Sequence, residues 1–294
     1  MKAFEWPPRK HPVHIVVVIP ASNLSILPTL REKTEFAGDL GRILAIYKVN
    51  DVIVYDDEFS EEGDADLLAT LLSYLQVPPY LRKKVIPITP ELRYAGLLHP
   101  LNIVTHNPAN KAPARGDLRE GVVVVSWGTT AKAFVGSKNL CFTESSRELK
   151  PGERILVRIE RVKPMKCREV RPEEIDEYIG YRVLRAGEDI VYAIKYFKGT
   201  VVLTSKQGES FSKQGLRKSL LNEALRSKGL VLLFGNNKLD FDEILGRERF
   251  SALEPVWRVN FIPGQGVLSV RTIEALHAVL AQINTELWSR KQSS

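Results

Sequence analysis

The sequence predicts an α/β protein with a parallel sheet and a small all-β barrel inserted into it. β-branched apolar runs alternate with amphipathic helical segments over residues 1–97 and again over 177–294. Between these parts, short β-runs separated by proline and glycine replace the alternation. Near the C-terminus, two apolar runs each end in a glycine-bearing turn, which is typical of parallel strands that open onto a ligand crevice.

Length and composition favour a soluble globular protein. The chain has 294 residues, of which 44% are hydrophobic and 26% charged. We see no apolar run long enough to span a membrane, and the first nine residues lack the apolar core of a signal peptide. The sequence therefore predicts a cytoplasmic protein, or a nuclear or nucleolar one in a eukaryote.

The first part of the chain reads as a β-α-β unit followed by a helix. Its β-branched runs predict parallel strands joined by a right-handed crossover. Pro78 and Pro79 end the last helix, and the basic stretch after them predicts a short strand. In order, the predicted elements are a strand at Val13–Ile19, a helix at Thr29–Lys48, a strand at Val52–Tyr55, a helix at Asp64–Leu75 and a strand at Tyr80–Pro87.

The middle of the chain predicts the barrel, and the α/β pattern then returns. Regularly spaced short strands with turn residues between them are typical of a small barrel. The predicted barrel strands are Gly121–Trp127, Ala131–Val135, Leu140–Phe142 and Arg154–Val162. The elements expected next are strands at Gly180–Leu184 and Gly199–Thr204 and a helix at Lys213–Lys228.

The C-terminal stretch combines the strongest turn signals with the longest apolar helix. Leu230–Phe234 is followed by Gly235, and Val256–Ile262 is followed by Pro263-Gly-Gln-Gly266. We expect Gly264 and Gly266 to permit positive φ or a close backbone approach that a side chain would block. An amphipathic helix is predicted from Val270, and its N-terminus could offer free N–H groups to an anion.

Several common site types are not indicated. Cys141 and Cys167 form no CxxC pair and the five histidines are scattered, so neither a metal site nor a disulfide framework is expected. No GxGxxG or GxxxxGK[ST] motif is present, which argues against an ordinary dinucleotide or P-loop site.

The run Asn260-Phe-Ile-Pro-Gly-Gln-Gly-Val-Leu-Ser-Val-Arg-Thr-Ile-Glu-Ala275 resembles the C-terminal motif of the SPOUT, or α/β-knot, methyltransferases. Further matches to the branch of RNA methyltransferases with an inserted OB-like domain are Leu232–Gly235, Thr204–Gly208, Tyr80-Leu-Arg-Lys and Tyr94–Leu101. The resemblance implies a SPOUT-type knotted parallel sheet domain in two segments, 1–97 and 177–294. An OB-like barrel would occupy 98–176.

This resemblance also implies S-adenosylmethionine as cofactor and RNA as substrate, plausibly ribosomal RNA. Within the pocket, three matched stretches would line the cofactor largely through backbone groups. The implied residues are Thr204, Ser205, Gly208, Leu233, Phe234, Gly235, Phe261, Ile262, Pro263, Gly264, Gln265, Gly266, Leu268 and Thr272.

Methyl transfer from a sulfonium requires positioning of the nucleophile and stabilisation of its developing negative charge. Arg42, in the helix before the second strand, occupies the context in which the wider superfamily places a basic arginine. A guanidinium is a poor proton acceptor but a good anion clamp, so Arg42 is the candidate catalytic residue. A solvent-facing helix arginine is the alternative, and the general base is unassigned.

A basic run from Arg154 to Arg171 is the candidate RNA contact. Seven basic residues face only Glu160 and Glu169 there, an excess of five positive charges. The alternative is a solvated strand face. We assign to RNA the side chains of Arg154, Arg158, Arg161, Lys163, Lys166 and Arg168.

Two further function classes and an assembly state follow from the resemblance. A protein methyltransferase of the same superfamily, or a non-catalytic RNA-binding or ribosome-assembly factor, would share the fold. Knotted domains of this type form homodimers through their first and last helices. The apolar positions of the last helix, with one side for the sheet and one for a partner, suit this expectation: Ile273, Leu276, Val279, Leu280, Ile283 and Leu287.

Overall fold

The computed structural model describes residues 4–106, 112–187 and 189–292 of the chain. The strands are β1 (His14–Pro20), β2 (Asp51–Tyr55), β3 (Leu118–Trp127), β4 (Thr130–Phe134), β5 (Cys141–Glu144), β6 (Arg154–Arg161), β7 (Lys166–Glu169), β8 (Arg182–Arg185), β9 (Thr200–Ser210), β10 (Gly229–Leu233) and β11 (Val256–Asn260). The α-helices are α1 (Ser22–Ser25), α2 (Leu30–Ile46), α3 (Asp64–Gln76), α4 (Pro79–Val85), α5 (Ile190–Tyr196), α6 (Gln214–Ser227), α7 (Phe241–Leu245), α8 (Arg247–Ser251) and α9 (Thr272–Gln292).

Within these ranges, six strands form one parallel sheet in the order β11-β9-β10-β1-β2-β8. Strands β1, β2 and β10 lie in its middle, and almost every residue in them is buried. A parallel strand covered on both faces must be apolar throughout, which explains the unbroken β-branched runs of the sequence. The predicted parallel sheet is therefore confirmed.

Helices cover both faces of the sheet. One face packs against α2, α3, α6 and α9 in the larger apolar core. The other carries α5, α7 and α8 in a second core that includes Phe241 and Phe250. Helix α2 begins at a capping box, in which the Thr29 hydroxyl accepts a hydrogen bond from the backbone N–H of Glu32 at 3.2 Å.

The remaining five strands of the described residues close into a barrel in the order β3-β4-β5-β7-β6. All neighbours are antiparallel except β5 and β7, which run parallel. Alternate residues point inward, so the barrel has its own apolar core, with Val123, Ala133, Val157 and Ile159 among its members. The predicted separate β-barrel is confirmed.

One predicted strand is wrong, and one strand of the barrel was not predicted. Residues 79–85 form helix α4 and not a strand. Proline is favoured at the first position of a helix, so Pro79 begins α4. Strand β7 was missed because its four residues, Lys166–Glu169, contain only one inward-facing apolar position, Cys167.

The expectation of no disulfide is wrong. Cys141 and Cys167 are joined by a disulfide across the parallel pair β5 and β7, with a Cα–Cα distance of 6.0 Å. The two residues are separated by 26 positions in the sequence. Their proximity depends on β7, the strand that the sequence pattern did not reveal.

The last helix is buried against its own chain. Leu276, Val279, Leu280, Ile283 and Leu287 are each at most 2% exposed. The predicted second apolar side, left open for a partner, is therefore not present on α9. A helix that is packed on the sheet and also touches α2 uses both sides of its apolar surface within one chain.

Helix α4 and residues 101–106 connect the sheet to the barrel. The Tyr80 hydroxyl donates to the carbonyl oxygen of Glu120 at 2.9 Å, and its ring lies 6.4 Å from that of Phe134. His106 Nε2 lies 3.0 Å from the carbonyl oxygen of Gln76. None of the helices in the described ranges combines the length and hydropathy needed to cross a membrane.

Candidate functional site

A cavity lies at the carboxyl ends of β9, β10 and β11, the edge at which open α/β sheets bind ligands. Three chain segments form its walls: residues 204–207, residues 234–243 and residues 259–279. Phe234, Phe261 and Val279 supply apolar surface, whereas Asn236 and Asn260 supply amide groups. The site thus combines apolar rings with many polar and charged side chains, which can orient a polar small molecule.

The first wall is a segment of β9 in which the pairing with β11 is interrupted. Strand β11 pairs with β9 as far as Arg258 opposite Leu203, and the next pair is Val259 opposite Glu209. The five residues between, Thr204–Gly208, form an excursion from the ladder, and four of them line the cavity. A Cβ on Gly208 would lie 2.5 Å from the backbone nitrogen of Val259, so only glycine lets β9 return to β11.

The second wall is a tight turn after β10. A Cβ on Gly235 would lie 2.1 Å from the carbonyl oxygen of Leu239, so the turn closes only with glycine at this position. The Asn236 side chain accepts hydrogen bonds from the backbone N–H groups of Lys238 and Leu239, both at 2.9 Å. This turn carries Asp240 to the cavity, where its carboxylate accepts a hydrogen bond from the Ser205 hydroxyl.

Hydrogen bonds tie the third wall to the first. The Asn260 amide donates to the carbonyl oxygen of Lys206 at 2.9 Å, and the Lys206 ammonium donates to that of Leu268 at 3.3 Å. Gln265 donates its amide within its own segment, to the carbonyl oxygens of Val267 and Leu268. The 263–271 segment is therefore held over the cavity by backbone carbonyls and long polar side chains.

Eight of the fourteen predicted cofactor residues line this cavity: Thr204, Ser205, Phe234, Gly235, Phe261, Ile262, Gln265 and Thr272. Gly208, Leu233, Pro263, Gly264, Gly266 and Leu268 are not among the lining residues. Gly208 shapes the excursion, and the carbonyl oxygen of Leu233 accepts a hydrogen bond from Thr204 at 2.8 Å. The Leu268 side chain is 88% exposed.

The geometric argument for the two late glycines holds for one of them. Gly264 has φ of +70°, the left-handed region that favours glycine. Gly266 has no such φ, and a Cβ there would meet nothing within 4 Å. The expectation of a close approach at Gly266 is therefore wrong for contacts within the chain.

Sequence reasoning missed the polar wall Asn236–Glu243. The residues Gly235-Asn-Asn-Lys238 are typical of a turn, and they gave no indication of a binding role. Burial raises the pKa of the Asp240 carboxyl above its ordinary value, although the Ser205 hydrogen bond opposes the shift. Two acidic residues, Asp240 and Glu243, and two basic residues, Lys206 and Lys238, thus line the same cavity.

Arg42 does not line this cavity. Its guanidinium donates to the carbonyl oxygen of Leu101 at 2.6 Å, and it lines a different cavity with Trp6 and Trp288. The two cavities use different turns of α9, since Thr272, Ala275 and Val279 line the first and Asn284, Thr285, Leu287 and Trp288 line the second. Within one chain, Arg42 and the predicted cofactor residues are not brought together.

Most of the basic run is paired with carboxylates. Arg154 pairs with Glu120, Arg158 with Glu177, Lys166 with Glu144 and Arg168 with Glu160. Arg161 donates to the carbonyl oxygen of Pro164 at 3.3 Å. Among the described residues, Arg161 and Lys163 are the members of the predicted set without a carboxylate partner. The charge excess of the run is therefore smaller in the fold than in the sequence.

The described ranges contain no group of histidine, cysteine and carboxylate side chains arranged to hold a metal ion. Glu274 serves as a helix cap, since its carboxylate accepts from the backbone N–H of Arg271 at 2.9 Å.

Comparison with known proteins identifies the class. Residues 14–283 match the model of a family described as "Putative RNA methyltransferase", and this match covers most of the chain. The protein belongs to this RNA methyltransferase family. The sequence-based prediction of an RNA methyltransferase is confirmed at that level.

Individual relatives align over nearly the whole chain. The human 28S rRNA (uridine-N(3))-methyltransferase is 28% identical over 318 residues, covering 97% of this chain and 81% of the human protein. A Drosophila melanogaster protein of the same name is 26% identical, with 95% of this chain and 63% of the fly protein covered. An uncharacterised protein of Halobacterium salinarum is 28% identical over 91% of this chain and 97% of its own length.

Proposed function

We propose that this protein uses S-adenosylmethionine to methylate ribosomal RNA at N3 of a uridine. The observation that carries the proposal is the cavity at the carboxyl ends of β9, β10 and β11, walled by the segments that resemble the SPOUT cofactor motifs. The acceptor follows from the names of the human and fly relatives.

The residues of the cavity fit this cofactor. S-adenosylmethionine has an adenine ring, ribose hydroxyls, a carboxylate and two cationic groups, an ammonium and a sulfonium. The rings of Phe234 and Phe261 suit the adenine, and Asn236 and Asn260 suit the ribose hydroxyls. Lys206 and Lys238 suit the carboxylate, and Asp240 and Glu243 face the cations.

When bound, the cofactor supplies an electrophilic methyl group. The chain must position uridine N3, remove the proton from the imide N–H and stabilise the anion that develops on the base. Exclusion of water by the 263–271 segment would strengthen each of these electrostatic contacts.

We also propose the architecture that the resemblance implies. A SPOUT-type domain would comprise residues 1–97 and 177–294, and residues 98–176 would form an inserted OB-like barrel. Supporting the first part, the Thr272 hydroxyl donates to Asn23, which follows β1, and lies 3.2 Å from the carbonyl oxygen of Gly235, which follows β10. The last helix thus begins in contact with two earlier loops, an arrangement that a trefoil knot would also place there. The barrel pairs its first strand with its fourth, and its third with its fifth in parallel, which suits an OB-fold.

A homodimer is the third part of the proposal, because Arg42 does not line the cavity of its own chain and a second copy could bring its guanidinium to the acceptor. Exposed apolar surface suited to self-association lies near Arg42, at the end of α2 and in the N-terminal segment. Ile46 is 49% exposed and Trp6 is 56% exposed. Both line the same cavity as Arg42 and Trp288.

The test is methyl transfer with defined components. The purified protein, S-adenosylmethionine with a labelled methyl group and ribosomal RNA from cells lacking the gene should yield labelled RNA. Nucleoside analysis by mass spectrometry should identify 3-methyluridine. Binding of S-adenosylmethionine by calorimetry without any transfer to RNA would contradict the proposed function, and so would a different methylated nucleoside for its acceptor.

A further inference from the structure

The outer face of the barrel carries apolar side chains that the rest of the protein leaves exposed. Strand β3 has a bulge between Val123 and Val125, after which Val125 and Trp127 both point outward. Phe142 of β5 points outward as well. These large side chains, with their exposed fractions, are Val124 at 46%, Val125 at 41%, Trp127 at 55%, Leu140 at 38% and Phe142 at 38%.

Strand register places basic side chains between and beside these groups. Val125 lies opposite Lys132, Lys132 opposite Phe142, Phe142 opposite Lys166, and Lys166 opposite Arg161. Directly opposite residues have Cβ atoms about 4.5–5.5 Å apart, so this is one continuous row across the barrel. The Lys132 ammonium also lies over the Trp127 ring, 5.9 Å from its centroid.

The two rings are available for stacking. Phe134, on the same face of β4, is covered by Tyr80 and by the Lys84 ammonium of α4. Neither Trp127 nor Phe142 contacts another aromatic ring among the described residues. The two residues are separated by β4 and by a two-residue offset along the strands, and so by about 12 Å.

The charge of this face suits a polyanion. Lys132 has no carboxylate partner in the described part of the chain, and Arg161 contacts only a carbonyl oxygen. Lys166 is paired with Glu144 at 2.8 Å, so it contributes less to the positive charge of this face. An apolar face with interleaved cations and exposed rings is the arrangement that binds single-stranded nucleic acid, because the rings stack on bases and the cations neutralise phosphates.

We propose that unpaired bases of the RNA substrate stack on Trp127 and Phe142, with Lys132 between them on the phosphate backbone. This proposal rests on RNA being the substrate. It places the principal RNA contact of the barrel on β3, β4 and β5, and not on the ion-paired arginines of β6 and β7.

The experiment measures affinity without methyl transfer. A labelled short single-stranded RNA of mixed sequence and a hairpin duplex of matched length are titrated with the full-length protein. Trp127→Ala and Phe142→Ala should each weaken single-strand binding by about tenfold and change duplex binding little. Phe59→Ala is the control, since Phe59 is 48% exposed and follows β2 in the sheet part.

Two further variants identify the interaction. Trp127→Phe keeps an aromatic face and should retain most of the affinity, whereas Trp127→Leu keeps apolar area alone and should behave like the alanine variant. Lys132→Gln should reduce the salt slope of binding by roughly 0.7 to one unit, and the ring variants should leave it unchanged.

Fluorescence gives an independent reading if a ring variant proves unstable. Bound single-stranded RNA should quench the Trp127 emission of the unmodified protein, and Trp127→Phe should lack that component. Unchanged single-strand affinity in both alanine variants would overturn the proposal, as would normal RNA binding by Trp127→Leu, which would show that apolar area and not an aromatic face makes the contact. Ring-dependent RNA binding without methyl transfer would uphold it while the proposed function fails.

Discussion

The Thr272 hydroxyl, at the start of the last helix, donates a hydrogen bond to Oδ1 of Asn23 at 2.6 Å, and both side chains are buried. Asn23 in turn donates to the carbonyl oxygens of Pro20 and Gly235. This network joins the segment after β1, the turn after β10 and α9. It therefore fixes the C-terminal segment against the two loops that shape the candidate site.

Replacing the Thr272 hydroxyl should loosen this junction. Thr272→Val keeps the shape but leaves Oδ1 of Asn23 buried without its donor, which costs about 1–3 kcal/mol. Thr272→Ser keeps the hydroxyl and should lose less. Urea unfolding of the three proteins measures the difference. Equal stability of the valine and serine variants would show that the hydrogen bond contributes little.

The turn after β10 should not tolerate a side chain at Gly235. Gly235→Ala would place a Cβ against the backbone of Leu239 and Asp240, so the turn must open and move Asp240. We expect at least about a tenfold loss of S-adenosylmethionine affinity, or about 1.4 kcal/mol. Gly266→Ala is the matched control, because a Cβ there meets nothing, and its stability should stay within about 0.5 kcal/mol of the unmodified protein.

Calorimetry with both glycine variants checks this expectation. A Gly266→Ala variant that lost as much affinity as Gly235→Ala would mean that the exposed segment, and not the turn, determines cofactor binding.

Asp240 should contribute to binding of the cationic cofactor. Asp240→Asn keeps a residue suited to a helix N-cap but removes the negative charge, and should weaken S-adenosylmethionine binding by about tenfold. Because burial raises the pKa of Asp240, affinity of the unmodified protein should fall as pH decreases through a range above the ordinary aspartate value. The asparagine variant should lack that component of the pH dependence.

Asp242→Asn provides the comparison for Asp240. It removes the same charge two residues away, where the carboxylate pairs with Arg258 at 2.7 Å and does not line the cavity. Affinity of this control should stay near that of the unmodified protein. A similar loss of affinity in both variants would indicate that the overall negative charge of this surface, and not a contact with Asp240, attracts the cofactor.

The junction between sheet and barrel should be sensitive to acid through His106. Burial is the main cause that lowers the pKa of His106 from 6.5 to about 4, with the nearby Arg82 charge adding to it. The unfolded chain takes up this proton near pH 6.5, and the folded chain does not until about pH 4. The free energy of unfolding should therefore decrease as pH falls through this window, by about 3 kcal/mol in total.

His106→Gln keeps a side-chain N–H for the carbonyl oxygen of Gln76 but cannot titrate, so its unfolding free energy should vary less between pH 6.5 and 4. His99→Gln, at an exposed histidine, should retain the pH dependence of the unmodified protein. Parallel curves for the two variants would show that another group causes the acid sensitivity.

The elements that could be predicted from the sequence are those in which burial requires a regular series of apolar residues. Strands β1, β2 and β10 are buried on both faces and read as unbroken apolar runs. Strand β7, with the sequence Lys-Cys-Arg-Glu, has no such run, and its place in the barrel depends on pairing with β5 and β6. The disulfide was hidden for the same reason.

Some residues of the candidate site could likewise be predicted from the sequence, and others could not. Glycine-bearing turns marked Gly235 and Gly264, because close backbone packing at the first and a positive φ at the second restrict the residue type. Asp240 and Asn236 gave no such signal, since polar turn residues are common on any surface. The apolar positions of α9 were predicted correctly. Periodicity does not show which elements these positions pack against, because that depends on the tertiary structure.

The catalytic role of Arg42 needs its own test, because this candidate catalytic residue does not line the cavity of its own chain. If it acts from the second subunit of a homodimer, Arg42→Ala should bind S-adenosylmethionine normally. Single-turnover methylation should nevertheless fall at least about a hundredfold, the scale of one preorganised donor. Arg42→Lys should recover only part, since an ammonium lacks the planar fork.

Mixed dimers then distinguish the two arrangements. Arg42→Ala and Gly235→Ala, each impaired alone when S-adenosylmethionine is limiting, should regain activity when co-expressed with different tags and purified as a heterodimer. One site of that dimer would combine an intact cavity with an intact Arg42 from the partner. Action within a single chain predicts no recovery, because each chain carries one defect. Full activity of Arg42→Ala alone would leave its hydrogen bond to Leu101, at 2.6 Å, as the role of this residue.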